Sequence, residues 1–163
     1  MPSHQLETAM NPDLERILKK AGWHNGRDEP SQEAAFKAHL AEAWHPKADS
    51  FVRSFGGLSI GDCLWVQPQL AAFGLPYRSR VESVIRTSCC PVASSGYMGD
   101  GCTIWIDSNH CFYAVDSEGM VFIGDGTIDA LKVLLLGAKP APAPLDVRSS
   151  LEQAWNWNDA RET

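Results

Sequence analysis

The stretch Val115–Gly126, VDSEGMVFIGDG, sets acids among glycines, and a second Gly-Asp-Gly stands at Gly99–Gly101. Residues of these types can cradle a phosphate, hold a divalent cation or turn the corners of a sheet. A phosphate loop of the P-loop kind needs several glycines and a lysine ahead of Ser or Thr at the mouth of a helix. GDGTIDAL has no lysine, and GDGCTIWI runs on into a strand pattern. Neither fits G-x-G-x-x-G, because Ile104 stands three residues after Gly101. Turn chemistry accounts for both: glycine supplies a positive φ, and aspartate bonds its own backbone. A helix start after Gly126 would favour an anion, but Asp125 and Asp129 oppose one there. For a divalent metal the carboxylates are scattered, with no EF-hand spacing.

The five cysteines, Cys63, Cys89, Cys90, Cys102 and Cys111, are odd in number and irregular in spacing, which argues against a disulfide framework. Zinc sites draw on Cys and His pairs a few residues apart. Here Cys89-Cys90 and His110-Cys111 are adjacent, and C-x-x-C is absent. A Cys/His nucleophile pair stays open, since such residues meet only in space. Asp107 and Asp116, on neighbouring expected strands, form a weak candidate for acid–base work. No G-x-S-x-G elbow occurs. A small metal-dependent or Cys/His hydrolase is therefore an alternative reading, while no catalytic residue, metal or cofactor is assigned.

The formal charge of −6 is uneven. Tyr97–Asp129 holds six acids (Asp100, Asp107, Asp116, Glu118, Asp125 and Asp129) and no Lys or Arg. The remaining residues carry 14 basic and 14 acidic side chains and balance. A field of one sign repels nucleic acid and attracts basic partners. No run approaches the ~18 apolar residues of a membrane span. The N-terminal MPSHQLETAMNPDLER lacks a basic start followed by an apolar block. The expectation is a cytoplasmic protein that binds neither nucleic acid nor membrane.

These residues must be positioned by elements legible in the apolar pattern. Asn11 caps a first helix with Leu14, Ile17, Leu18 and Ala21 on one stripe, stopped by Gly22. Ser31 caps a second, with Phe36, Leu40, Ala43 and Trp44, broken at Pro46. A short third helix carries Phe51, Val52 and Phe55 and ends at Gly56-Gly57. Leu58–Val66 reads as a strand and Gln67–Pro76 as loop. Ser79 and Glu82 suggest a capping box for a short helix. Cys90–Gly101 reads as loop. Cys102–Asp107, Cys111–Val115 and Met120–Ile123 form a three-strand antiparallel meander. Thr127 caps a last helix with Ile128, Leu131, Leu134 and Leu135 inward, closed by Gly137.

This gives an N-terminal tail over 1–10, a domain over 11–139, and a Pro-rich linker and tail over 140–163. Leu145–Thr163 reads as one weak helix containing Leu151, Trp155 and Trp157. Trp23, four residues before Arg27, reads as closing a core edge, with Arg27 stacked on it or bonded to a carbonyl. Trp105 shares a strand face with Asp107 and is either an exposed interface anchor or core. The partner-binding candidates are Asp100, Trp105, Asp107, Asp116, Glu118, Asp125, Trp23 and Arg27.

Taken in order, GWHNGR (Gly22–Arg27), FVRSFGGL (Phe51–Leu58), CPVASSGYMGDGCTIWID (Cys90–Asp107) and FYAVDSEGMVFIGDGTIDALKVLLLG (Phe112–Gly137) resemble the third branch of the SUKH superfamily. The resemblance covers about Asn11 to Lys139. It implies an α+β domain, a twisted antiparallel sheet with helices packed around it. It also implies a bacterial immunity protein that binds a cognate polymorphic-toxin domain, many of which are nucleases or deaminases. Other superfamily members are adaptors, so a regulatory adaptor with an endogenous partner is a further alternative. Two departures stand out: Pro91-Val92-Ala93 replaces PVG, and the turn Ser108–Cys111 lacks the usual glycine.

Overall fold

The computed structural model describes residues 10–154 apart from Asp100. The fold is α+β. Helix α1 spans Pro12–Lys20, and Asn11 caps it as expected, its side chain accepting from the Leu14 N–H at 2.9 Å. Helix α2 (Pro30–Leu40) starts one residue before Ser31, on Pro30, whose fixed φ suits a first helical turn. Its N-cap position is Glu29, which makes no side-chain capping bond. A single 3₁₀ turn follows at Ala41–Ala43, and Trp44 is already extended. Helix α3 covers Asp49–Phe55.

The expected strand Leu58–Val66 is instead a hairpin of β1 (Ser59–Ile60) and β2 (Leu64–Trp65), turned by Gly61 and Asp62. The expected loop after it is helical: α4 (Pro68–Ala71), then a 3₁₀ stretch Ala72–Tyr77 running straight into α5 (Arg78–Ile85). That continuity removes the need for a capping box at Ser79. Glu82 instead pairs with Arg78, one helical turn earlier, at 3.2 Å.

The largest difference from expectation is Cys89–Ser95, which is β3, an inner strand rather than loop. Strands β4 (Cys102–Asp107), β5 (Cys111–Val115) and β6 (Met120–Asp125) make the expected meander. The six strands lie in sequential order, every neighbouring pair antiparallel. The register between β3 and β4 shifts between Pro91 and Ala93. Proline within a sheet is confined to edges and bulges, and Pro91 sits beside this irregularity. Helix α6 (Thr127–Leu136) follows β6. Its N-cap is Gly126, at φ +96°, rather than Thr127.

Alternation along the strands divides the core into two. Ile104, Ile106, Phe112, Ala114 and Ile123 face α1, α2, α3 and α6. On that side Phe51 meets Phe112 with ring centroids 5.4 Å apart. Trp105, Tyr113, Met120 and Phe122 face the other way, where Val81 and Ile85 of α5 cover them. Helix α7 (Leu145–Ala154) completes that cover with Val147 and Leu151. The sheet is thus covered on both faces, leaving its ends and edges open.

Candidate partner-binding cleft

Each end of the sheet gathers a different set of loops. At one end, the loop residues Tyr97, Met98 and Gly101, the turn Asp116–Gly119 and the 3₁₀ stretch Ala72–Tyr77 converge. The turn is fixed by its own aspartate: the N–H groups of Glu118 and Gly119 donate to Asp116 Oδ1 at 2.8 and 3.0 Å. The Asp116 N–H donates in turn to the Gly119 carbonyl at 3.0 Å. The Gly96 N–H is tied to the Cys63 carbonyl at 3.2 Å, and the Tyr97 N–H to Ser95 Oγ at 3.1 Å.

The third wall depends on Gly74. A Cβ there would lie 2.7 Å from Thr103 Oγ1, so only glycine lets the chain rest this close to the sheet. Thr103 cannot swing away freely, because its Oγ1 accepts from Trp105 Nε1 at 2.9 Å inside the core. This close approach sets Phe73 at the cleft mouth, 71% exposed. Tyr97 is also exposed.

Two adjoining hollows result, of about 400 and 550 Å³, which share Met98, Asp116 and Glu118. Phe73 and Tyr77 wall the first; Tyr97 and Phe122 wall the second. Among the described residues lining them, none is Lys or Arg. Two exposed aromatic side chains thus stand beside two carboxylates.

The residues singled out from the sequence do not stay together. Asp116 and Glu118 line this cleft. Asp125 is exposed at the opposite end of the sheet, next to a groove it shares with Asp107 and Asp146. Asp100 lies outside the described residues, as do Trp155 and Trp157.

Two candidates are core rather than surface. Trp105 is fully buried between α5 and α7, because those helices cover the face that the meander alone would leave open. Asp107 is 3% exposed and committed to structure. Its Oδ1 accepts from the N–H groups of Asn109 and Cys111, at 2.8 and 2.9 Å, and its Oδ2 from Tyr113 Oη at 3.0 Å. It therefore staples the β4–β5 turn and has no free oxygen to offer a partner.

Trp23 is buried too, stacked on Phe55 at 6.3 Å. Arg27 donates to the carbonyls of Ser54 and Gly56 at 2.7 and 2.8 Å, the carbonyl-bonded alternative of the sequence reading. Both hold the end of α3 rather than the cleft. Sequence reasoning missed Phe73, Tyr97 and Met98, which sit in segments read as loop, and Tyr77, which directly follows one of them. The dipeptide Phe73-Gly74 was the one local sign, a bulky apolar residue beside a glycine.

The thiols are poor nucleophiles where they stand. Burial pushes Cys90 and Cys111 up to about 12 and Cys102 up to about 11, and raises Cys89 further. Reactive cysteines need the opposite shift. Among the described residues, no group of three or more His, Cys, Asp or Glu side chains is arranged to hold a metal ion. No helix among them is long and apolar enough to cross a membrane.

A family model described as SUKH-3 immunity protein matches residues 10–137. This chain belongs to that family. The match spans α1 through α6 and all six strands of this SUKH-3 protein, and with them every wall of the cleft except Pro140. Helix α7 begins after the match ends. Comparisons with curated proteins and with solved structures gave no match.

Proposed function

We propose that this SUKH-3 protein neutralises a cognate bacterial toxin domain by binding it and covering its working surface, without turnover of a substrate. The family supplies the role of immunity. The observation that carries occlusion as the means is the cleft, a preformed hollow with exposed Phe73 and Tyr97 and a rim of Asp116 and Glu118. Aromatic anchors inside a polar rim are what a tight protein interface draws on.

The sign of the rim supports a basic partner. Domains that cut or deaminate nucleic acids present basic surfaces to phosphate. A carboxylate rim competes for such a surface, which favours a nucleic-acid-targeting toxin from a polymorphic system, met in the producer's cytoplasm. The raised thiols and the fully engaged Asp107 weigh against the hydrolase alternative.

The test is titration of the toxin domain encoded beside this gene. Inhibition should reach its end point at one equivalent, with a stable complex on gel filtration. Complete inactivation by a small fraction of an equivalent would mean catalysis, and absence of any complex would remove the reading.

A further inference from the structure

Resting on the immunity reading, we infer that the cleft accepts a cationic side chain, an arginine or lysine, projecting from the partner protein between Phe73 and Glu118. Three observations meet there. The first is exposure: Phe73 and Tyr97 are two of the three large apolar side chains left open to solvent among the described residues. The third, Leu145, lies elsewhere, at the start of α7.

The second is charge. Every formally charged residue lining the two hollows is acidic. Asp116 spends Oδ1 on its own turn, while Glu118 is exposed and lines both hollows. Some carboxylates elsewhere are neutralised within the chain, as are Asp28 and Glu33 around Arg53, or Glu82 by Arg78. A cleft charged on one side only is completed by the opposite charge from outside.

The third is fit. A guanidinium or ammonium binds best where an aromatic face and a carboxylate can be reached together, since the ring attracts the cation and the carboxylate takes its N–H groups. The opposite end of the sheet supplies the contrast. There Asp107, Asp125 and Asp146 line a groove with Arg86 among them, and Tyr113, its aromatic ring, is buried. Simple acidity would draw a cation to both ends; the aromatic walls favour the first.

The probe is a capped Gly-Arg-Gly-Arg-Gly peptide titrated into the full chain at low ionic strength, followed by amide shifts in NMR spectra. Saturable shifts should appear at Tyr97, Ser117, Glu118 and Gly119 and not around Asp125 and Asp146. Phe73→Ala and Glu118→Gln, both at exposed positions, should each weaken the peptide about fivefold to tenfold. Asp146→Asn, at the far end, should leave it unchanged. Equal shifts at both ends, or none at the cleft, overturn the inference.

The toxin domain separates this inference from the reading beneath it. Binding to the wild type that falls about tenfold in Phe73→Ala and Glu118→Gln supports both. Binding that ignores these variants keeps immunity and sinks the cleft as its site. No binding to the wild type sinks immunity.

Discussion

At the scale of single residues, His110 shows how the β4–β5 turn closes without glycine. It stands in the turn that lacks a glycine, with φ +62°. Non-glycine residues reach that region at a cost of ~1–2 kcal/mol, asparagine more easily than most. Burial, and after it the charge of Lys47, holds the imidazole below its ordinary value of 6.5. The folded state therefore disfavours the protonated ring, while the unfolded chain accepts a proton readily. Stability should fall as pH drops through the window just below 6.5, and recover as pH rises. His110→Asn keeps the turn and should flatten that part of the curve in urea melts taken from pH 7.5 to 5; an unchanged slope would place the titration elsewhere. Asp107 gives the second residue-scale prediction. Tyr113→Phe removes one donor from a buried carboxylate, and should cost about 1–3 kcal/mol. Because Asp107 is structural, toxin affinity measured well below the melting temperature should not move.

At the scale of elements, β3 was the hardest to see, and α7 left only a faint pattern. Strand β3 carries Pro91, two serines and a following glycine, all of them turn signals in sequence. It is a strand because β4 supplies six register partners from Cys89 to Ser95 and tolerates the irregularity beside Pro91. Long-range pairing overrides local propensity here, as is common for strands. Helix α7 has a weak apolar signal, yet Val147 and Leu151 are buried against the second core. Arg148 strengthens its start, with Nε and Nη2 donating to the Ala143 carbonyl at 3.2 and 2.8 Å. If α7 covers the sheet as described, Leu151→Ala should lower stability by about 2 kcal/mol in a denaturant melt. It should also perturb the near-ultraviolet signal of the tryptophans, since Trp105 lies in the same cluster. A variant as stable as the wild type would mean the helix contributes nothing to the fold.

At the scale of the whole molecule, the sheet is covered on both faces, which leaves its ends and edges open. Asp116 and Glu118 at one end and Asp125 at the other carry part of the acidic window. Association with a basic toxin should be fast at low salt and slow steeply as salt rises, since screening shortens the field to ~10 Å at 0.1 M. Glu118→Lys should slow association several-fold and flatten its salt dependence, measured by stopped flow. Equal slopes for variant and wild type would show that steering comes from other charges.

Local pattern in the sequence determined the helical stripe of α1, the short α3, the meander β4–β6 and the helix after it, because burial repeats with the period of each element. The ordered motifs also point to the SUKH fold. Composition marked an acidic window, but not its division between two ends of a sheet. Only tertiary structure decided that Asp116 and Glu118 share a cleft while Asp125 sits opposite, since strand direction, not spacing along the chain, sets which turns meet. It likewise decided that Trp105 and Asp107 are interior and that Phe73 is not. Those outcomes depend on what α5, α7 and the Ala72–Tyr77 stretch lie against, and such contacts leave no periodic trace in the residues that receive them.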